Sequence, residues 1–205
     1  MTPKTSPRRS TLQGLEHDRQ YFSNYAGRKK RYKDVWKDHS YAEEVVAQFS
    51  APGAPRLKRL VVLGTATGEI LRFFDKKLGL RPFGCEVNTW AFQQIPLIYR
   101  KRIKRCDMRA YVDKERQHGR RADLCFSNSM IYLEPQDVKA FLPSLAKFCR
   151  YLHFNSSFKG RSCPDPYRKT TESYSWWNQQ FKKAGFKELR GPRGHRTYLW
   201  ESTQA

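Results

Sequence analysis

Negative charge is scarce in this sequence. Asp and Glu number 19 against 40 Lys and Arg, which leaves a formal net charge of +21 at pH 7. So one-sided a surface is unsuited to basic partners and attracts polyanions. The expected partner is nucleic acid, RNA first, or another acidic macromolecule; a basic surface with no dedicated partner stays open as the alternative. Long apolar runs are missing too. None approaches the roughly 18 residues of a membrane span, and the N-terminus lacks the apolar middle of a signal peptide. The chain is therefore expected to be soluble and intracellular, cytoplasmic or nuclear, with no membrane partner. The five cysteines, at 85, 106, 125, 149 and 163, form no Cys-x-x-Cys pair and no metal-ligand spacing. That pattern excludes a zinc ribbon and a disulfide framework, and it implies free thiols, mostly in buried strands, with no metal. A chain of 205 residues suffices for one α/β domain with a sizeable core and is short for two.

What is present centres on Leu60 to Glu86. Leu60, Val61, Val62 and Leu63 form a short unbroken apolar run, as in a strand buried on both faces of a parallel sheet. Gly64-Thr65-Ala66-Thr67-Gly68 follows, a small-residue turn in which two positions without Cβ let a ligand approach the backbone. From Glu69 to Leu78, Ile70, Leu71, Phe73, Phe74 and Leu78 recur at helical spacing, with Lys76 and Lys77 in the last turn and Gly79 as C-cap. A second strand around Phe83 to Val87 carries Glu86, eighteen residues after Gly68, where an acid can accept both hydroxyls of a ribose.

This strand, turn, helix and acid resemble the cofactor-binding half of the class I S-adenosylmethionine-dependent methyltransferases. The family's first motif is an acid-x-Gly-x-Gly-x-Gly turn. Gly64 and Gly68 match its first and third glycines, whereas Val62 stands in place of the acid and Ala66 in place of the middle glycine. The Gly-x-Gly-x-x-Gly spacing of a dinucleotide-binding domain is absent. The resemblance covers about Leu57 to Trp200. It implies an α/β Rossmann-like three-layer sandwich with a mostly parallel seven-stranded sheet and an antiparallel last strand. It also implies S-adenosyl-L-methionine as cofactor, held by Gly64, Thr65, Ala66 and Gly68 at its methionine end, Glu86 at the ribose, and Asp107 with Met108 at the adenine.

Three segments are expected. Residues 1–14, rich in Pro, Ser, Thr and Arg, read as a flexible basic arm. Residues 15–55 read as an N-terminal helical segment, in which Tyr21, Tyr25, Arg28, Lys29, Tyr32 and Trp36 interleave rings with cations. That mixture can stack bases and hold phosphates, can serve as the cofactor lid such methyltransferases often carry, or can simply pack on the sheet. Arg28 to Lys33 also has the composition of a nuclear-import run. Residues 56–205 form the cofactor-binding domain. Within it, Thr89 to Lys104 is a helical pattern kinked at Pro96, and Arg100, Lys101, Arg102, Lys104 and Arg105 put five bases in six positions, more than a helix dipole needs. Arg100 and Lys101 are candidate phosphate contacts.

Ala122 to Ser127 reads as a buried fourth strand, followed by Ser127-Asn128-Ser129. In the family such a run lines the transfer pocket. Ser127 is therefore assigned to the cofactor, while Asn128 and Tyr132 are the candidate catalytic residues, Asn128 to orient an amine and Tyr132 or His153 to take a proton. The Asn/Asp-Pro-Pro-Tyr signature of many base amino-methyltransferases is missing. Pro135 to Cys149 is a helix that Pro143 should bend, Tyr151 to Asn155 a strand, Glu172 to Ala184 a helix, and two closing strands flank the turn at 191–194. Three functions follow as expectations: a methyltransferase acting on RNA or an RNA-associated substrate, one acting on a protein side chain or small molecule, or a cofactor-free RNA-binding pseudoenzyme.

Overall fold

The computed structural model describes residues 21–22, 40–156, 158–159, 165, 167–190 and 196–204. The arm at 1–14, the residues Tyr25, Arg28, Lys29, Tyr32 and Trp36, Cys163 and the turn at 191–194 lie outside the described residues. The elements in chain order are α1 (Ser40–Ser50), β1 (Leu60–Leu63), α2 (Glu69–Leu78), β2 (Phe83–Glu86), α3 (Thr89–Gln94), α4 (Leu97–Arg100), β3 (Ile103–Arg105), α5 (Met108–Gln117), β4 (Ala122–Phe126), a 3-10 turn (Ser129–Tyr132), α6 (Pro135–Phe148), β5 (Cys149–His153), α7 (Tyr174–Lys183), β6 (Phe186–Arg190) and β7 (Arg196–Ser202).

The strands form one sheet in the order β3-β2-β1-β4-β5-β7-β6. β1 to β5 run parallel, and β7 lies antiparallel to both its neighbours. The apolar run of β1 is unbroken because both faces are covered. Val61 and Leu63 join a core with α5, α6 and α7, whereas Leu60 and Val62 join a second core with α1, α2 and α4. That is a three-layer α/β/α sandwich, and the strand order reverses beside β1. In sheets of this kind ligands bind at the carboxyl ends of the strands where the order reverses.

α2 spans the expected residues and ends at Gly79, whose left-handed backbone (φ 65°) lets its N–H reach the Asp75 carbonyl. At Pro96 the expected kink is a full break into α3 and α4, since proline offers no N–H and clashes with the preceding turn. Pro143 lies inside α6, which continues through it to Phe148.

Asp123 fastens the entrance to β1. Its Oδ2 accepts the N–H groups of Lys58 and Arg59, each at 2.7 Å, and the Arg59 guanidinium lies 4.4 Å over the Phe83 ring while pairing with buried Glu115. Replacing Asp123 with Ala orphans two backbone donors and is expected to cost about 1–3 kcal/mol in urea unfolding, with an unchanged fold by circular dichroism.

Candidate functional site

A cleft opens at the carboxyl ends of β1, β2 and β3. Gly64, Ala66, Glu86, Asn88, Asp107, Met108, Ser129 and Tyr132 line it, and Tyr21 with Phe22 closes one side. Thus six of the residues assigned from sequence to cofactor or acceptor, Gly64, Ala66, Glu86, Asp107, Met108 and Tyr132, meet in one place, with Tyr21 of the N-terminal segment beside them.

The loop after β1 is held by Glu86. Its Oε2 accepts the Ala66 N–H at 2.7 Å and its Oε1 accepts the Asn88 N–H at 2.8 Å. Ala66 takes up a left-handed conformation (φ 48°), which costs a non-glycine residue about 1–3 kcal/mol and persists where surrounding bonds over-determine it. Burial raises the Glu86 carboxyl to about 7, against the lowering effect of the backbone N–H groups of Asn88, Ala66 and Val87. A carboxylate oxygen that accepts one N–H has a second lone pair, so Glu86 can still accept hydroxyl donors from a ligand.

The glycines act differently from the expectation. Gly64 and Gly68 have φ of 83° and 91°, and a Cβ at Gly64 would lie 2.1 Å from the Ser129 Oγ, while one at Gly68 would lie 3.2 Å from the Pro96 Cδ. The direction in which each would carry a Cβ is occupied by a protein side chain, while the Gly64 backbone still lines the cleft. Gly68 and Thr65 do not line the cleft. Thr65 and Ser127 are buried at the ends of β1 and β4, and neither hydroxyl has a hydrogen-bond partner among the described residues.

Asp107 sits at the expected end of the cleft as the N-cap of α5, accepting the Arg109 N–H at 2.7 Å. The Arg109 side chain also grips this carboxylate through Nε at 3.0 Å, and the pairing pushes the guanidinium further toward its charged form. Asn128, assigned to orient an acceptor amine, does not line the cleft. Its Oδ1 accepts the Asn155 N–H at 2.9 Å and ties the ends of β4 and β5 together. Arg100 caps a carbonyl, with Nε and Nη2 at 3.1 and 2.9 Å from the Ile95 oxygen, because the broken helix at Pro96 leaves acceptors without an N–H donor. Neither Arg100 nor the exposed Lys101 lines the cleft.

Asn88, Cys85, Cys106, Phe22 and Leu133 line the cleft without having been singled out. Asn88 carried a readable signal, an Asn just before a helix, and its Oδ1 does accept the Ala91 N–H at 2.8 Å as N-cap. Cys85 is wholly buried and its thiol is pushed up by desolvation, while Cys106, hydrogen-bonded to Cys85, is lowered. Behind Tyr132 stands Asp165, 6% exposed, which no sequence pattern marked.

No family model matches this chain, and no curated protein sequence does either. Solved structures match well in shape. A SAM-dependent methyltransferase from Archaeoglobus fulgidus superposes with a TM-score of 0.57 at 14% identity, over 78% of this chain and 76% of that one. The N-terminal domain of EvdMO1 with SAH bound gives 0.58 at 12%, over 92% and 99%. Human N-acetylserotonin methyltransferase in complex with SAM gives 0.64 at 11%, over 96% of this chain and 60% of that one. At such identities the likeness shows the fold, and the chain has the fold of the class I SAM-dependent methyltransferases.

His153, which reads first as a packed strand residue and only second as a proton acceptor, is packed in β5. It is fully buried, stacked on Phe126 with centroids 4.4 Å apart, and neither ring nitrogen has a partner among the described residues. Desolvation pushes it down to about 3. Between its ordinary value near 6.5 and that folded value, the unfolded chain binds a proton that the folded chain does not, so stability falls as pH falls, by up to about 1.4 kcal/mol per unit. His153→Phe is expected to keep the ring stacking, raise stability at pH 7 by about 1–3 kcal/mol, and flatten the pH dependence below 6.5 relative to the parent; urea titrations at several pH values check both.

Proposed function

We propose that this chain is an S-adenosylmethionine-dependent methyltransferase acting on RNA or an RNA-associated substrate. The observation that carries the reading is the meeting of the Ala66 loop, Glu86 and Asp107 in one cleft at the strand ends of this fold. Ala66 and Gly64 would face the methionine portion, Glu86 would accept the ribose hydroxyls, and Asp107 with Met108 would flank the adenine. The cofactor supplies a methyl group already activated by its positive sulfur. The protein's share is to position the acceptor, exclude water and manage a proton, which needs no metal or nucleophilic triad.

The RNA part of the proposal is supported by charge. A net +21, with Lys101, Arg102, Lys104 and Arg105 exposed in and just before β3, offers phosphates many cations. A pseudoenzyme that binds RNA without cofactor has its own supporting observations, the Ser129 side chain against Gly64 and the Arg109 grip on Asp107.

Calorimetry with S-adenosylhomocysteine separates these. Binding in the micromolar range is expected, and its absence at about millimolar ligand would eliminate the enzyme. Glu86→Ala should weaken binding by about 1–3 kcal/mol. Affinity should also fall as pH drops below about 7, where Glu86 gains its proton, and Glu86→Gln should remove that dependence. For acceptor class, tritiated methyl transfer to RNA, protein and metabolite fractions is the test, with label expected in RNA. Log affinity for RNA should fall against log salt with a slope of about three or more; a shallower slope contradicts phosphate contact.

A further inference from the structure

Asp165, Tyr132 and Tyr21 form a polar triangle beside the cleft. The Asp165 Oδ2 lies 2.7 Å from the Tyr132 Oη and 3.0 Å from the Tyr21 Oη, and the two phenol oxygens are 3.0 Å apart. Each phenol has one hydrogen, so an ionised Asp165 receives both. The other carboxylate oxygen, Oδ1, accepts the Tyr167 N–H at 3.0 Å. A hydroxyl that donates its hydrogen still accepts through its lone pairs, and Tyr132 lines the cleft while Asp165 does not.

The carboxylate is also held in place. The loop that bears it is pinned to the turn that bears Tyr132: the N–H groups of Lys169 and Thr170 both reach the Ile131 carbonyl at 3.0 Å, and the Thr170 hydroxyl reaches the Leu133 carbonyl at 2.6 Å. A carboxylate one phenol removed from the cleft, on a loop locked to the turn that bears that phenol, is placed to take a proton passed through it. It also disfavours an anionic acceptor, since a carboxylate nucleophile would meet a buried negative charge.

We propose that Tyr132 and Asp165 are the proton-accepting station of the transfer, and that the acceptor is an RNA group whose nucleophilic atom bears a hydrogen, a base N–H or a ribose hydroxyl. The proposal rests on the reading of the cleft as an RNA methyltransferase site. The acceptor's N–H or O–H bond breaks and its electron pair becomes the new bond to the methyl carbon, whose bond to sulfur breaks with its pair going to sulfur. The released proton goes to the Tyr132 oxygen as the phenol's own proton goes to the Asp165 Oδ2. Nothing is oxidised or reduced. Tyr132 touches the acceptor and is the catalytic residue; Asp165 acts through it and is a positioning residue.

Asp165→Asn separates this role from an anchoring one, because the amide oxygen still accepts from both phenols yet takes no proton. The full chain is assayed with tritiated S-adenosylmethionine on in vitro transcribed, unmodified transfer and ribosomal RNA, the label is located by digestion and mass spectrometry, and S-adenosylhomocysteine affinity is measured by calorimetry. Asp165→Asn and Tyr132→Phe are each expected to lower kcat by about 10²–10⁴-fold, with the double variant no worse than either. The KM for RNA and the Kd for S-adenosylhomocysteine should move by less than about twofold, and the methyl group should sit on an atom that carried a hydrogen. A methyl group on a ring nitrogen without hydrogen, such as guanine N7, overturns the proposal. So does an Asp165→Asn variant with parental kcat, or one that raises KM or Kd while kcat holds, which marks Asp165 as an anchor for the two tyrosines. Label in protein in place of RNA overturns the RNA reading itself, and with it the acceptor named here, while absent S-adenosylhomocysteine binding overturns the enzyme.

Discussion

One buried carboxylate organises the cleft. Glu86 ends β2, and its two oxygens take the N–H of Ala66 from the loop after β1 and that of Asn88 from the turn into α3. A carboxylate taken out of water must find donors or its proton, and here both responses are present: two backbone hydrogen bonds and a carboxyl raised to about 7. The same bond holds Ala66 in a left-handed turn that alanine does not adopt on its own. The shape of the loop and much of the electrostatics of the cleft therefore depend on one side chain.

The scarcity of acids has a structural counterpart. Several of the few present are engaged in the interior or at its edge: Asp123 holds the entrance of β1, Glu115 pairs with Arg59, Asp107 caps α5 and grips Arg109, and Asp165 joins two tyrosines. Acids so used add little compensating charge to the surface, and much of the cationic excess faces solvent. The division leaves the cationic excess where the proposed polyanionic partner would meet it.

Much of the fold was legible because its signals are local. An apolar run of four, two turn glycines and a helical repeat ending at Gly79 specify β1, the loop and α2 within thirty residues, and the structure places them at those positions. Gly64, Ala66, Glu86, Asp107, Met108 and Tyr132, named from the resemblance, line one cleft because they lie in or just after the strand ends that the sequence made visible. Reading failed where a side chain's partner is remote in the chain. Asn128 looked free for an acceptor until Asn155 claimed it, Arg100 looked free for phosphate until the break at Pro96 offered it a carbonyl, and the room beside Gly64 belongs to Ser129.

By itself, then, the sequence determined the strand, turn and helix around β1 and the sign of the net charge, since periodicity, turn chemistry and composition are properties of neighbouring residues or of the whole chain, while the layer architecture was implied by the family resemblance that those residues carry. The tertiary structure alone decided which polar groups face the cleft. Asp165, between two prolines in a loop with no periodicity, meets Tyr132 only because hydrogen bonds from Lys169 and Thr170 fold that loop onto the turn after β4. Hydrogen-bond geometry is set by distance in space, and residues so far apart along the chain carry no pattern that announces their meeting.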